Sequence, residues 1–205
     1  MGLTAEIIRA EMDALASKDP RVGEQLARIG YPEPRLRDRG YKTLLRTIVG
    51  QQVSVAAAAS MWNKFIAEVG EEFTPACVLE RDFDTLRACG LSRQKQGYAR
   101  SLCELVDSGD LDFDNLPADD EEAIEELTRI KGIGRWSAEI YLLFAEGRKD
   151  MWPAGDLAVQ EGVKRLLDLA ERPKEKECRE LGERWSPHRG AMAIFTWHFY
   201  ANPAL

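Results

Sequence analysis

Apolar residues recur at helical spacing almost from one end of this chain to the other, and that limits its fold more than any other feature. Ile7, Ile8, Met12 and Leu15 make one stripe, and Leu44, Leu45, Ile48 and Val49 make the wide face of a second helix. Val55, Ala59, Trp62, Ile66 and Val69 continue the pattern, with Thr4 and Ser54 placed to cap the first and third of these helices. Further helices are expected over 83–89, 93–108, 119–131, 135–146, 157–170, 174–185 and 188–200. Their breaks are short and carry glycine or proline, among them Gly70, Gly90, Gly109, Pro117, Pro173 and Pro187. No run alternates apolar and polar residues as a half-buried strand does. The expected class is all-α. With 205 residues, two helical lobes are expected: about 41–150, and about 1–40 with 151–205, a cleft lying between them. Residues 32–40 (PEPRLRDRG) read as a linker stiffened by Pro32 and Pro34.

Charge argues against a nucleic-acid partner at first sight, since 28 basic residues face 35 acidic ones, a net −7. A DNA binder of this composition has to turn Asp119, Asp120, Glu121, Glu122, Glu125 and Glu126 away from phosphate. It also has to lean on backbone N–H groups, which net charge does not count. Cys77, Cys89, Cys103 and Cys178 form no C-x-x-C pair, and only His188 and His198 could join them, so no metal site is signalled. Idle thiols in a reducing compartment are the expectation. No apolar run approaches the roughly 18 residues that cross a bilayer, and the first residues lack the pattern of a signal peptide. A cytoplasmic chain without membrane contact is expected.

The segment 124–144, IEELTRIKGIGRWSAEIYLLF, carries the most information. A helix is expected to end at Lys131, with Gly132 in a left-handed conformation and a second helix following at once. Gly134 has no Cβ, so a phosphate can approach the N–H groups that open that helix, where the dipole favours an anion. Ile133 plugs the hairpin into the core, and Arg135 adds a cation. A plain interhelical turn is the competing reading.

With this hairpin the chain resembles the helix-hairpin-helix DNA glycosylases, in the branch similar to bacterial 3-methyladenine DNA glycosylase II. Two more motifs carry the likeness: IVGQQVSVAAA at 48–58, and WPAGDLAVQEGV at 152–163, whose aspartate follows Trp136 by twenty residues. The larger family members carry an additional N-terminal mixed domain. The resemblance implies the two-lobed glycosylase fold and a partner: double-stranded DNA containing alkylated bases. It further implies hydrolysis of the N-glycosidic bond of cationic methylated purines by a monomer, in the cytoplasm of a bacterium or the nucleus of a eukaryote.

Residue by residue, the likeness makes Asp156 the catalytic carboxylate. Its position before an apolar-periodic helix also suits an ordinary N-cap. Relatives often place a second acid just before this aspartate; here Gly155 stands there. Trp136 takes the place of the lysine that forms a Schiff base in relatives with lyase activity, so strand cleavage is not expected. Trp136 and His188 are expected to line the base pocket, against the alternatives of a core tryptophan and a surface histidine. Gln51, Gln52 and Ser54 are expected at DNA with Gly132, Ile133, Gly134 and Arg135, Gln52 filling the gap left by the base. The alternative makes both glutamines helix-terminal amides. No cofactor is required by the resemblance, although it implies sodium or potassium on the backbone carbonyls of Thr128, Ile130 and Ile133. Two other readings are a DNA-binding hairpin without activity and a glycosylase for another lesion class.

Overall fold

The computed structural model describes residues 2–202, and every regular element among them is helical. The order begins α1 (Ala5–Lys18), α2 (Pro20–Ile29), α3 (Tyr41–Gly50), α4 (Val55–Val69), α5 (Pro75–Leu79), α6 (Phe83–Ala88) and α7 (Arg93–Asp107). It continues with α8 (Asp120–Thr128), α9 (Arg135–Tyr141), a π-helical turn (Leu142–Glu146), α10 (Leu157–Leu167) and α11 (Glu175–Gly182). A 3-10 turn (Glu183–Trp185) and α12 (Arg189–Ala201) end it. The chain divides into two compact units, Met1–Asp38 with Glu139–Leu205, and Arg39–Ala138.

In the first unit α12 is the central helix. Its residues Gly190 to Trp197 and Phe199 are all buried, so it is enclosed on nearly every side. Helix α10 lies against it closely enough that a Cβ on Gly162 would stand 2.8 Å from the Thr196 Cβ and 3.0 Å from the Thr196 carbonyl oxygen. Helix α1 presents Ile8, Met12 and Leu15 to the core and is capped by Thr4, as expected. Helix α2 was not foreseen from periodicity. Asp19 caps it through the Arg21 N–H and Pro20 opens it, the favoured order at a helix start. Residues 30–39 form no regular element, and Arg37 N–H bonds the Phe144 carbonyl at 2.9 Å, so the stretch read as a linker is docked.

The middle unit packs α3, α4, α5 and α7 around Tyr41, Trp62, Phe65 and Phe73, whose rings meet edge-on or stacked at 5.6–6.4 Å. Trp62, expected in the core, is half-buried at its margin. Helix α8 ends at Thr128, three residues short of Lys131, because Arg129, Ile130 and Ile133 N–H groups bond carbonyls three residues back. The helix thus tightens into the turn that leads to Gly132. The four thiols are unpaired; burial pushes Cys103 and Cys178 up to about 12, which keeps them neutral and unreactive.

Two glycines in helices should respond in opposite directions to alanine. Gly97 is exposed in α7 with open space where a Cβ would go, so Gly97→Ala should stabilise by about 0.5–1 kcal/mol. Gly162→Ala should destabilise by about 1–3 kcal/mol, since overpacking against Thr196 outweighs the same helical gain. Urea unfolding of the two variants checks the sign of each.

Candidate active site

The segment Met151–Asp156 is fixed before its last residue is considered. The Trp152 indole N–H donates to the Cys178 carbonyl at 2.9 Å, and Gly182 leaves room for that ring, since a Cβ there would stand 2.4 Å from Nε1. The buried Gln160 side chain donates to the Ala154 carbonyl at 2.7 Å, reaching back from α10. Asp156 N–H bonds the Pro153 carbonyl, closing the turn at 2.9 Å. Arg179 reaches Glu139, which is buried, at 3.0 Å, Glu175 at 3.2 Å and the Trp152 carbonyl at 3.4 Å. A Cβ on Gly155 would lie 3.4 Å from the Glu175 carboxylate, so an acid at 155 would meet another acid.

Asp156 then caps α10. Its Oδ1 accepts the Ala158 and Val159 N–H groups at 2.9 and 3.0 Å, and the Trp197 indole N–H at 3.0 Å. The two backbone donors are the orphans of a helix start. The third comes from α12, the buried centre of the unit, so a helix end and a core aromatic hold one oxygen in one place. Trp197 is 8% exposed, as a core residue should be, but its polar edge is used. Sequence reasoning did not find this contact. The only available signal was that a buried indole N–H nearly always finds an acceptor. Phe144 packs on the Trp197 ring at 5.5 Å, and the Arg35 guanidinium lies over it at 5.3 Å.

In the middle unit the other two motifs are joined to each other. Helix α3 ends at Gly50, and Lys95 Nζ donates to the Val49 carbonyl at 2.7 Å; partial burial holds this amine below its ordinary value. Gln51 Nε2 donates to the Gly132 carbonyl at 2.9 Å, so this side chain bridges the turn and the hairpin. Gln52 is exposed with φ +55, a backbone region that side-chain-bearing residues seldom occupy. Strain of that kind is retained where the surroundings enforce it. Ser54 Oγ accepts the Ala57 N–H at 3.2 Å as the cap of α4.

Gly132 has φ +84, and a Cβ there would lie 2.2 Å from the Tyr98 ring, so two separate constraints require glycine. Ile133 is buried, and Gly134 has open space where a Cβ would stand. Beyond it, the first turn of α9 presents the N–H groups that no preceding helical carbonyl can satisfy. Trp136 is 46% exposed, which rules out the core alternative for it. Arg135 forms a two-pronged pair with Glu121 at 2.7 and 2.5 Å. His188 opens α12, its Nδ1 2.5 Å from Glu11 and its Nε2 3.4 Å from Lys18 Nζ. Burial works to raise Glu11, but hydrogen bonds from His188 and Lys149 outweigh it and hold the carboxyl below its usual value. The histidine is thus engaged by charges on α1, where pocket lining was expected. Among the described residues no three His, Cys, Asp or Glu side chains gather as a metal site. No helix among the described residues is long and apolar enough to cross a membrane.

Comparison with known proteins identifies the family. DNA-3-methyladenine glycosylase 1 of Schizosaccharomyces pombe is 36% identical over 163 residues, covering 77% of this chain and 71% of the relative. The crystal structure of a DNA-3-methyladenine glycosidase from Bacillus halodurans superposes with a TM-score of 0.84 at 32% identity, over 91% of this chain and 87% of the other. The S. pombe 3-methyladenine DNA glycosylase in complex with abasic DNA superposes with a TM-score of 0.79 at 31% identity, over 92% and 95%. Residues 45–188, which hold all three motifs, match the HhH-GPD superfamily of base excision DNA repair proteins, and the chain belongs to that family.

Proposed function

We propose that this chain is a DNA glycosylase of base excision repair that hydrolyses the N-glycosidic bond of cationic alkylated purines, with Asp156 as the catalytic carboxylate. The observation that carries the reading is the triple hydrogen bond on Asp156 Oδ1, which points the carboxylate from a rigid corner of the fold. As the C1′–N bond breaks, the sugar takes on oxocarbenium character, and a fixed negative charge beside C1′ lowers that barrier and positions the water that adds there. Trp197 is a positioning residue for this carboxylate. A ring-methylated purine carries its charge before cleavage and leaves as a neutral base, so no acid is needed to protonate it. That agrees with a His188 ring already engaged by Glu11 and Lys18.

The partner is double-stranded DNA, bound by a monomer wherever the cell keeps its DNA. Backbone N–H groups of the hairpin turn, other than that of Ile133, which bonds the Ile130 carbonyl, take a phosphate. Gln52, held outward by its left-handed backbone, enters the duplex where the base has left, while Gln51 keeps the turn in register with Gly132. Trp136 gives the exposed aromatic face on which an extruded cationic base stacks. Helix α8 ends at Thr128, which leaves the carbonyls of Thr128, Ile130 and Ile133 at or beyond its end; Ile130 accepts one N–H and keeps a second lone pair. These oxygens suit sodium or potassium, which would add positive charge for the phosphate. With Trp136 where lyases carry lysine, the product is an abasic site in an intact strand.

Asp156→Asn should lower single-turnover release of 7-methylguanine by ~100-fold or more while leaving duplex binding intact. Because asparagine caps nearly as well, its stability should match the parent, whereas Asp156→Ala should lose about 1 kcal/mol. Trp197→Phe should slow release roughly tenfold with binding retained, the cost of one hydrogen bond to a charged group. Near-parental release by the asparagine variant overturns the catalytic assignment.

Substrate and product class are checked side by side with 7-methylguanine, hypoxanthine and 8-oxoguanine in matched duplexes. The first should be released fastest, and borohydride should trap no covalent adduct. Faster release of 8-oxoguanine would remove the alkylation reading, and a trapped adduct the hydrolytic one.

A further inference from the structure

Arg135, the cation that directly follows the hairpin turn, is already occupied. Its two terminal nitrogens meet the two carboxylate oxygens of Glu121 in parallel, at 2.7 and 2.5 Å, the planar fork that an arginine also offers to phosphate. On the other side of the turn Arg129 pairs with Glu126 at 2.5 Å. Both acids belong to a segment, residues 104–126, that holds eleven acidic side chains and no lysine or arginine. Both members of the Arg135–Glu121 pair reach solvent, at 36% and 64% side-chain exposure, so a phosphate can displace the carboxylate. Helix α8 does not depend on Glu121 for its start, since Asp119 caps it through the Glu121 and Glu122 N–H groups.

We infer that Glu121 is an internal competitor for the DNA phosphate at Arg135, and that it weakens the grip on undamaged duplex. The inference rests on the reading of this chain as a DNA glycosylase whose hairpin meets the DNA backbone. On plain duplex, each approach to Arg135 has to break an existing ion pair, so the gain from that phosphate is reduced. The same competition applies to a lesion-bearing duplex, so it lowers both affinities by one factor and leaves their ratio unchanged. The carboxylate therefore shortens residence on plain duplex, the most abundant competitor for the chain.

The experiment is fluorescence anisotropy of the full chain on an undamaged duplex across a salt series, with Glu121→Gln, Glu122→Gln, Arg135→Gln and the Glu121→Gln/Arg135→Gln pair. Glu122 is an exposed neighbour on the same turn and reports what the loss of any one negative charge does. Glu121→Gln should bind up to about fivefold tighter, within the range of an exposed ion pair. Its log–log salt slope should steepen by roughly 0.9, one more phosphate neutralised. Glu122→Gln should give less than half that gain, and in the Arg135→Gln background the gain should vanish. A Glu121→Gln gain no larger than that of Glu122→Gln, or one that survives without Arg135, overturns the inference. So does a loss of affinity with a fall in unfolding midpoint, which would make the pair a structural brace. Base release by the parent from methylated DNA is measured in parallel. A parent that neither binds duplex nor releases base removes the functional reading itself, while an active parent with no Glu121 effect removes only this inference.

Discussion

The Oδ1 atom of Asp156 collects donors from two helices, and both the start of α10 and its tie to the centre of the unit depend on it. Two of its hydrogen bonds start α10, and the third ties that start to Trp197 on the buried helix α12. Capping and a role in catalysis are usually weighed as rival explanations of such an aspartate. On the proposed reading they reinforce each other: a side chain whose orientation is set by a helix end cannot swing away when charge develops nearby, and preorganisation of that kind makes a carboxylate useful. The Trp152, Gln160 and Arg179 contacts around the preceding turn extend the same rigidity to the backbone that carries it.

A second constraint is electrostatic. A chain with a net charge of −7 is repelled by DNA unless its acids are held in particular places. The structure pairs Glu121 with Arg135 and Glu126 with Arg129, which neutralises acids and cations together beside the hairpin. What the turn then presents is mostly backbone, with Gly132 and Gly134 clearing the approach. On the proposed reading phosphate is held largely by N–H groups, which net charge does not count, and composition alone misjudges such a protein.

Much of the fold was legible because its signals are local. Thr4 and Ser54 are caps where their hydroxyls precede apolar periods, and Gly132 takes the left-handed backbone that a helix end followed at once by a second helix requires. The misses have physical causes. Helix α2 opens at Pro20 behind the Asp19 cap and buries only Val22 and Leu26, so no period stands out. Helix α5 has five residues, too few for any period to show. The early end of α8 depends on carbonyl choices within the turn, which side-chain pattern does not encode.

Contacts at the site were harder to foresee than the site's own residues. Asp156 stands in a motif, but its partner Trp197 lies 41 residues away on a stripe whose spacing says only that it is buried. His188 lies inside a motif as well, yet its ring is governed by Glu11, 177 residues away in sequence. Gln51 and Gln52 look interchangeable in the sequence, and one backbone angle separates them: a left-handed Gln52 leaves Gln51 to bond Gly132 and sends its own side chain elsewhere. A motif therefore fixes which residue types gather. Which of them holds the frame and which is left for the ligand is decided by long-range partners, and these follow from packing.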